Sequence, residues 1–213
     1  MDPATALQQA TVRLEALGLN TGTSGNVSIR VAGGFLVTPS AIPPDRLLPG
    51  DMVELTLTGE NVSGGVPSSE WRIHRDVYGA FPEAGAIVHT HSIHATALAV
   101  LREDLPPFHY LVAKAGGRSI RCADFAGYGT QALSDAVVQS LEGRRACLMA
   151  NHGMLAHGTD LAAAMALAVD VEVLCRQYLV ARSSGSPVLL TDAQVDEAIA
   201  RFQRYGLPEA GSP

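Results

Sequence analysis

The sequence predicts an α/β fold: one domain in which a mixed β-sheet is covered by helices on both faces. Three observations carry this. Apolar residues recur at helical spacing at both ends of the chain and between strands. Short alternating or continuously apolar runs, the signature of strands, fill the middle. No repeat, linker or second boundary divides residues 1–213, a length that suits a single domain.

Leu7, Ala10, Leu14 and Leu17 recur at steps of three and four, giving a first amphipathic helix that Gly18 and Asn20 should end. A Gly/Thr/Ser loop follows over 21–26, and Val27-Ser28-Ile29-Arg30 alternates as a strand. Gly33-Gly34 reads as a hairpin turn and Phe35-Leu36-Val37 as the returning strand. Pro43, Pro44 and Pro49 make 40–49 a loop, and 52–58 alternates again. Ser68-Ser69-Glu70 lead into a helix whose apolar face is Trp71, Tyr78 and Phe81, with Glu70 as a first-turn carboxylate. A buried strand over 86–88 runs into His89-Thr90-His91, and 95–101 continues as a helix. Strands at 147–150 and 154–156 flank Asn151-His152-Gly153. Asp160 caps a long helix reaching about Arg182, and a last helix follows Thr191-Asp192.

The formal net charge is −6, with 21 acidic against 15 basic side chains and no Lys/Arg run, which argues against a nucleic-acid partner. The one lysine, Lys114, has no special setting in the sequence. Cys122, Cys147 and Cys175 are odd in number and far apart, which fits free buried thiols. The start of the chain lacks a secretory pattern, and the most apolar stretch, 161–169, falls short of the ~20 residues that cross a bilayer. A soluble cytoplasmic protein with no membrane partner is the expectation.

Chemistry concentrates at His89-Thr90-His91. Residues i and i+2 of a strand share a face, so the two imidazoles project together. An HxH pair alone also fits hydrogen-bonded core histidines. Apolar strands feeding both this pair and His152 favour a metal site, since catalytic zinc takes three protein ligands and keeps one position open. Glu70 can supply an oxygen ligand or a general base. His74, His109 and His157 read as structural; His94 fits either a structural residue or a reserve ligand. A second signal is anion binding: the 21–26 loop, Ser68-Ser69 at a helix start and the Thr38-Pro39-Ser40 turn all offer N–H groups and hydroxyls to a phosphate. No GxxxxGK[ST] motif is present. Together, a metal and a phosphate cradle suggest polarisation of a carbonyl on a phosphorylated sugar.

GTSGNVSIR, LVTPSAIP, PSSEWRIH, AIVHTHSIHATA, HYLVAKAGG and NHGMLAHG, in this order and spacing, resemble the class II aldolase/adducin family, most of all its bacterial L-fuculose-phosphate aldolases. The likeness runs from about Leu7 to Tyr205–Leu207. It implies a three-layer α/β/α domain over 1–213 with a mostly antiparallel sheet. It also implies Zn2+ (or Co2+ or Mn2+) at His89, His91 and His152, with Glu70 in or near the coordination sphere. The phosphate is expected among Thr23, Gly25, Asn26, Ser40, Ser68 and Ser69. The resemblance further implies a homotetramer with active sites between subunits, to which Tyr110 and Tyr205 contribute as catalytic residues. The implied reaction is reversible cleavage of a ketose 1-phosphate, such as L-fuculose 1-phosphate, into dihydroxyacetone phosphate and a small aldehyde. A ribulose-phosphate 4-epimerase, a methylthioribulose-phosphate dehydratase and a non-catalytic adducin-like module are the alternatives on this scaffold. Two departures touch the pocket: Ser40-Ala41 stands where the fuculose enzymes have Thr-Gly, and Tyr128, on the aldehyde side, replaces a phenylalanine.

Overall fold

The computed structural model describes residues 1–204. Among them a seven-stranded sheet runs β3-β2-β1-β4-β7-β6-β5. Its strands are β1 (Asn26–Val31), β2 (Gly34–Val37), β3 (Val53–Thr56), β4 (Ala86–Thr90), β5 (Cys122–Ala123), β6 (Ala146–Met149) and β7 (Gly153–Gly158). Every pairing is antiparallel except β5 with β6, so the sheet is mixed and mostly antiparallel. The helices are α1 (Pro3–Ala16), α2 (Trp71–Ala80), α3 (Ile93–Val100), α4 (Gln131–Ser140), α5 (Leu161–Ser184) and α6 (Asp192–Arg204).

The two faces of the sheet bury different partners. Val27, Val88, Met154 and Ala156 share a core with α1, α3 and α5, whereas Phe35, Val37, Ile87 and Leu155 share one with α2 and α4. The helices therefore form the outer two of three layers. β4 is buried along its whole length, as a central strand covered on both faces must be. Strand alternation then places His89 on the α2 face with Ile87, away from Val88.

Several details depart from the sequence reading. Leu17 is 49% exposed, because α1 ends at Ala16 and Leu17 caps it. Gly34 belongs to β2, and the hairpin turns through Ala32 and Gly33. The buried stripe of α2 is Ile73, His74, Val77 and Tyr78, with Trp71 and Phe81 only partly covered. Glu70 is the residue before α2, not part of its first turn. Lys114 is ion-paired with Asp170 at 2.9 Å, so its setting is specific after all. The cysteines are free, and no helix among the described residues is long and apolar enough to cross a membrane.

Candidate metal centre and anion cavity

Three chain segments meet at the end of β4. His89 is the penultimate residue of that strand, and His91 follows it. His152 sits in the turn from β6 to β7, where Asn151 adopts φ 54°. Gly153 makes the approach possible: a Cβ there would lie 2.3 Å from the Thr90 carbonyl oxygen. Glu70 arrives from the opposite layer, at the start of α2.

The four side chains converge. One donor atom from each of Glu70, His89, His91 and His152 lies within 4.8 Å of the other three. His89 Nε2 is 3.1 Å from His91 Nε2 and 3.0 Å from Glu70 Oε2, and His152 Nε2 is 3.3 Å from Glu70 Oε1. A tetrahedral zinc with ligand bonds of ~2.0–2.1 Å has ligand–ligand edges of about 3.3 Å, so the spacing fits. Two further observations agree. His89 Nδ1 is 2.9 Å from the Met154 carbonyl oxygen and must carry the hydrogen, which leaves the Nε2 lone pair for the cluster. Glu70 Oε1 is buried without a hydrogen-bond partner, a demand that a divalent cation would satisfy. The donor set therefore suits zinc or a similar divalent ion.

Electrostatics point the same way. Burial works to raise the Glu70 carboxyl, but His89, His152 and the Asn26 amide outweigh it and hold it well below the usual carboxylate range. Burial and the neighbouring His89 push His91 and His152 down to about 4, so both present neutral nitrogens at pH 7. Burial also opposes charge on His89, yet Glu70 and the Met154 carbonyl raise it. A proton between His89 and Glu70 thus competes with a cation for the same place.

Beside the cluster lies a polar cavity of about 160 Å³, lined by Thr23, Ser24, Gly25, Asn26, Ser40, Ser68 and Ser69 together with Glu70, His91, His152 and Tyr128. Its walls are tied together. Ser40 N–H donates to Val66 O and Ser68 N–H to Thr38 O, which pins the two hydroxyl-bearing turns side by side. Gly25, at φ 72°, packs on Asn20, where a Cβ would come within 2.3 Å of the amide nitrogen. Asn20 Oδ1 in turn accepts the His91 backbone N–H at 3.1 Å. All six residues expected to hold phosphate line this space, and Tyr128, 75% exposed, stands at its rim. Asn26 is engaged on both ends of its amide, by Glu70 and by His74.

Tyr110 is elsewhere. It begins a 3-10 segment, Tyr110–Ala115, stacks on His109 and Phe202, and lines a separate cavity against α6. Tyr205 lies outside the described residues. Of the remaining histidines, His94 bonds Glu172, His109 caps the 3-10 segment and His157 stacks on Phe81. The sequence reading missed Asn20, which ties the anion loop to His91, and Glu172, whose carboxylate caps α3 directly after the HxH pair. An Asn after a helix and a Glu inside an apolar helix carry no local signal of those roles.

Comparison with known proteins is consistent with this geometry. Residues 5–179 match the family model described as the class II aldolase and adducin N-terminal domain. A 5-methylthioribulose-1-phosphate/5-deoxyribulose-1-phosphate aldolase of Rhodospirillum rubrum is 43% identical over 94% of this chain and 90% of that protein. An L-fuculose phosphate aldolase of Escherichia coli K12 is 41% identical over 92% of each. A solved L-fuculose 1-phosphate aldolase superposes with a TM-score of 0.92 at 36% identity, covering 95% of this chain and 96% of the other.

Proposed function

The chain belongs to the class II aldolase and adducin family and is an enzyme, a class II aldolase, and from that premise we propose that it reversibly cleaves a ketose 1-phosphate into dihydroxyacetone phosphate and a small aldehyde. The observation that carries this reading is Glu70, whose buried Oε1 has no hydrogen-bond partner, converging with three imidazoles beside a hydroxyl-lined cavity. His89, His91, His152 and Glu70 would hold the cation, with zinc the ion their chemistry suits best. A divalent cation held there would supply Lewis-acid polarisation of the ketose carbonyl.

The chain's own groups do the rest. Hydroxyls and N–H groups of Thr23, Gly25, Ser40, Ser68 and Ser69 bind the ester phosphate, and Asn26 offers its remaining amide hydrogen. Among the described residues no lysine or arginine lines the cavity, so these groups would hold the phosphate by dipoles rather than by ion pairs. Glu70, ionised and within reach of the cavity, moves the proton on the carbon that becomes nucleophilic in the condensation direction. Tyr110 faces another surface of its own chain. The catalytic role that the family resemblance implies for Tyr110, at the aldehyde oxygen together with Tyr205, would then be exercised in the site of a neighbouring subunit of a homotetramer. The whole span 1–213 is taken as one such domain, working in the cytoplasm.

L-Fuculose 1-phosphate is the first substrate to test, and the Rhodospirillum rubrum relative supports 5-deoxy- and 5-methylthioribulose 1-phosphates as a second set. Tyr128 and Ala41 shape that choice. Purified protein is incubated with each ketose phosphate, and aldehyde release is followed. Cleavage of at least one is expected. Epimerisation or dehydration of a ribulose phosphate without cleavage, or no turnover at all, refutes the reading.

A further inference from the structure

Behind Glu70 a file of buried polar side chains runs between β1 and α2, and the catalytic reading gives it no task. Asn26, Ser28 and Arg30 alternate onto the α2 face of β1, while Glu70, His74 and Tyr78 recur every four residues. Four helical residues rise about 6 Å and two strand residues about 6.7 Å, so the two rows stay in step. The contacts follow that match: Asn26 Nδ2 to Glu70 Oε2 at 3.0 Å, Asn26 Oδ1 to His74 Nε2 at 2.5 Å, His74 Nδ1 to Ser28 Oγ at 2.6 Å and Ser28 Oγ to Tyr78 OH at 2.8 Å. All five residues are buried.

The direction of every bond is fixed from one end. Asn26 meets Glu70 through Nδ2, an amide nitrogen that can only donate, and so turns its carbonyl oxygen, which can only accept, to His74. His74 must then carry hydrogen on Nε2, which makes Nδ1 the acceptor of the Ser28 hydroxyl. Ser28, having given its one hydrogen, accepts from Tyr78. The opposite tautomer would turn the Asn26 oxygen onto the carboxylate, two buried acceptors face to face.

We infer that His74 is a positioning residue: its Nε2–H holds the Asn26 amide so that Nδ2 anchors Glu70 Oε2, which leaves Oε1, on the His152 side of the cluster, without a hydrogen-bond partner of its own. This inference rests on the metal reading of the Glu70–histidine cluster.

The test is zinc retention by the full-length protein in competition with a chelator of known affinity, with thermal unfolding recorded for each variant. Partners that orient metal ligands from behind typically contribute 10–100-fold to affinity, so His74→Asn, whose amide nitrogen falls short of the Nε2 position, is expected to release zinc about 10-fold more readily. His74→Gln, whose amide nitrogen comes close to that position, is expected to stay within about 3-fold of wild type. On a Glu70→Ala background, adding His74→Asn is expected to change retention by less than about 2-fold, because the carboxylate through which His74 acts is gone. Equal loss in the Gln and Asn variants, the same factor with and without Glu70, or no loss at all overturns the inference. If His74→Asn does not fold, Ser28→Ala takes its place: it frees the ring tautomer and is expected to weaken retention about 3-fold, again only when Glu70 is present. No weakening there overturns the inference equally. Failure of wild-type protein to bind zinc refutes the functional reading underneath. Tight zinc binding that ignores His74 refutes this inference alone.

Discussion

Replacing Glu172 by alanine should loosen the start of α3 and, with it, the HxH pair. The Glu172 carboxylate accepts the backbone N–H of His94 at 3.0 Å and of Ala95 at 2.9 Å, and it meets His94 Nδ1 at 2.7 Å. Ser92, the residue before α3, makes no side-chain cap, so these N–H groups depend on Glu172. Charge-assisted bonds contribute about 1.5–3 kcal/mol each, and contributions from one shared carboxylate are not additive. We therefore expect Glu172→Ala to cost about 3 kcal/mol, with Glu172→Gln, which keeps one acceptor, costing about half of that. Urea unfolding at fixed protein concentration measures both. A loss below about 0.5 kcal/mol for Glu172→Ala, the range of an ordinary surface change, would refute the reasoning.

Arg30 donates to the carbonyls of Tyr78, Phe81 and Ala84, closing the C-terminal end of the helix that Glu70 begins. Arg30→Ala should cost about 2 kcal/mol in the same unfolding assay. Ala41 holds φ 59° on the cavity wall, a left-handed conformation that disfavours a Cβ, so Ala41→Gly should stabilise the protein by about 0.5–1 kcal/mol and raise its melting temperature. After chelation, stability should fall with acid in two stages. His91 and His152, pushed down to about 4, take up protons in the unfolded chain near pH 6.5 before they do so when folded, so their contribution is full above about pH 7 and is lost toward pH 4. His74, pushed down to about 3 by burial and by His89, and His157, lowered by burial, act in the same sense, so His89, which Glu70 raises despite burial, is one group against four. Glu70 and Glu172, both held below their ordinary range, contribute fully above about pH 5 and extend the loss beneath it. Denaturation followed from pH 8 to 3 checks the sign; stability that rises through pH 6.5–4 would contradict it.

The parts of the site carried by local periodicity were legible in the sequence. His89 and His91 could be paired because strand alternation is rigid, and His152 because an apolar strand enters its turn. Glu70 and the hydroxyl turns gained their meaning together, through one ordered set of motifs. What escaped depends on contacts between layers. His74 and Ser28 carry no local sign of their partners 48 and 46 residues away in the chain. Asp170 and Glu172 look like interruptions of an apolar helix, yet one pairs with Lys114 and the other caps α3. The stretch between α3 and β6 gave the least: β5 is two residues long, too short for any alternation, and the Leu133–Val137 spacing of α4 sits among polar neighbours.

The most direct measurement is calorimetric titration of the chelated protein with zinc, run in two buffers of different ionisation enthalpy. One ion per chain should bind with release of a proton, and His91→Ala should weaken binding at least about 100-fold, since structural zinc sites gain about 10–16 kcal/mol over four ligands. Unchanged zinc affinity in His91→Ala, or no stoichiometric binding by the wild type, would contradict the assignment of the four converging side chains as a metal centre.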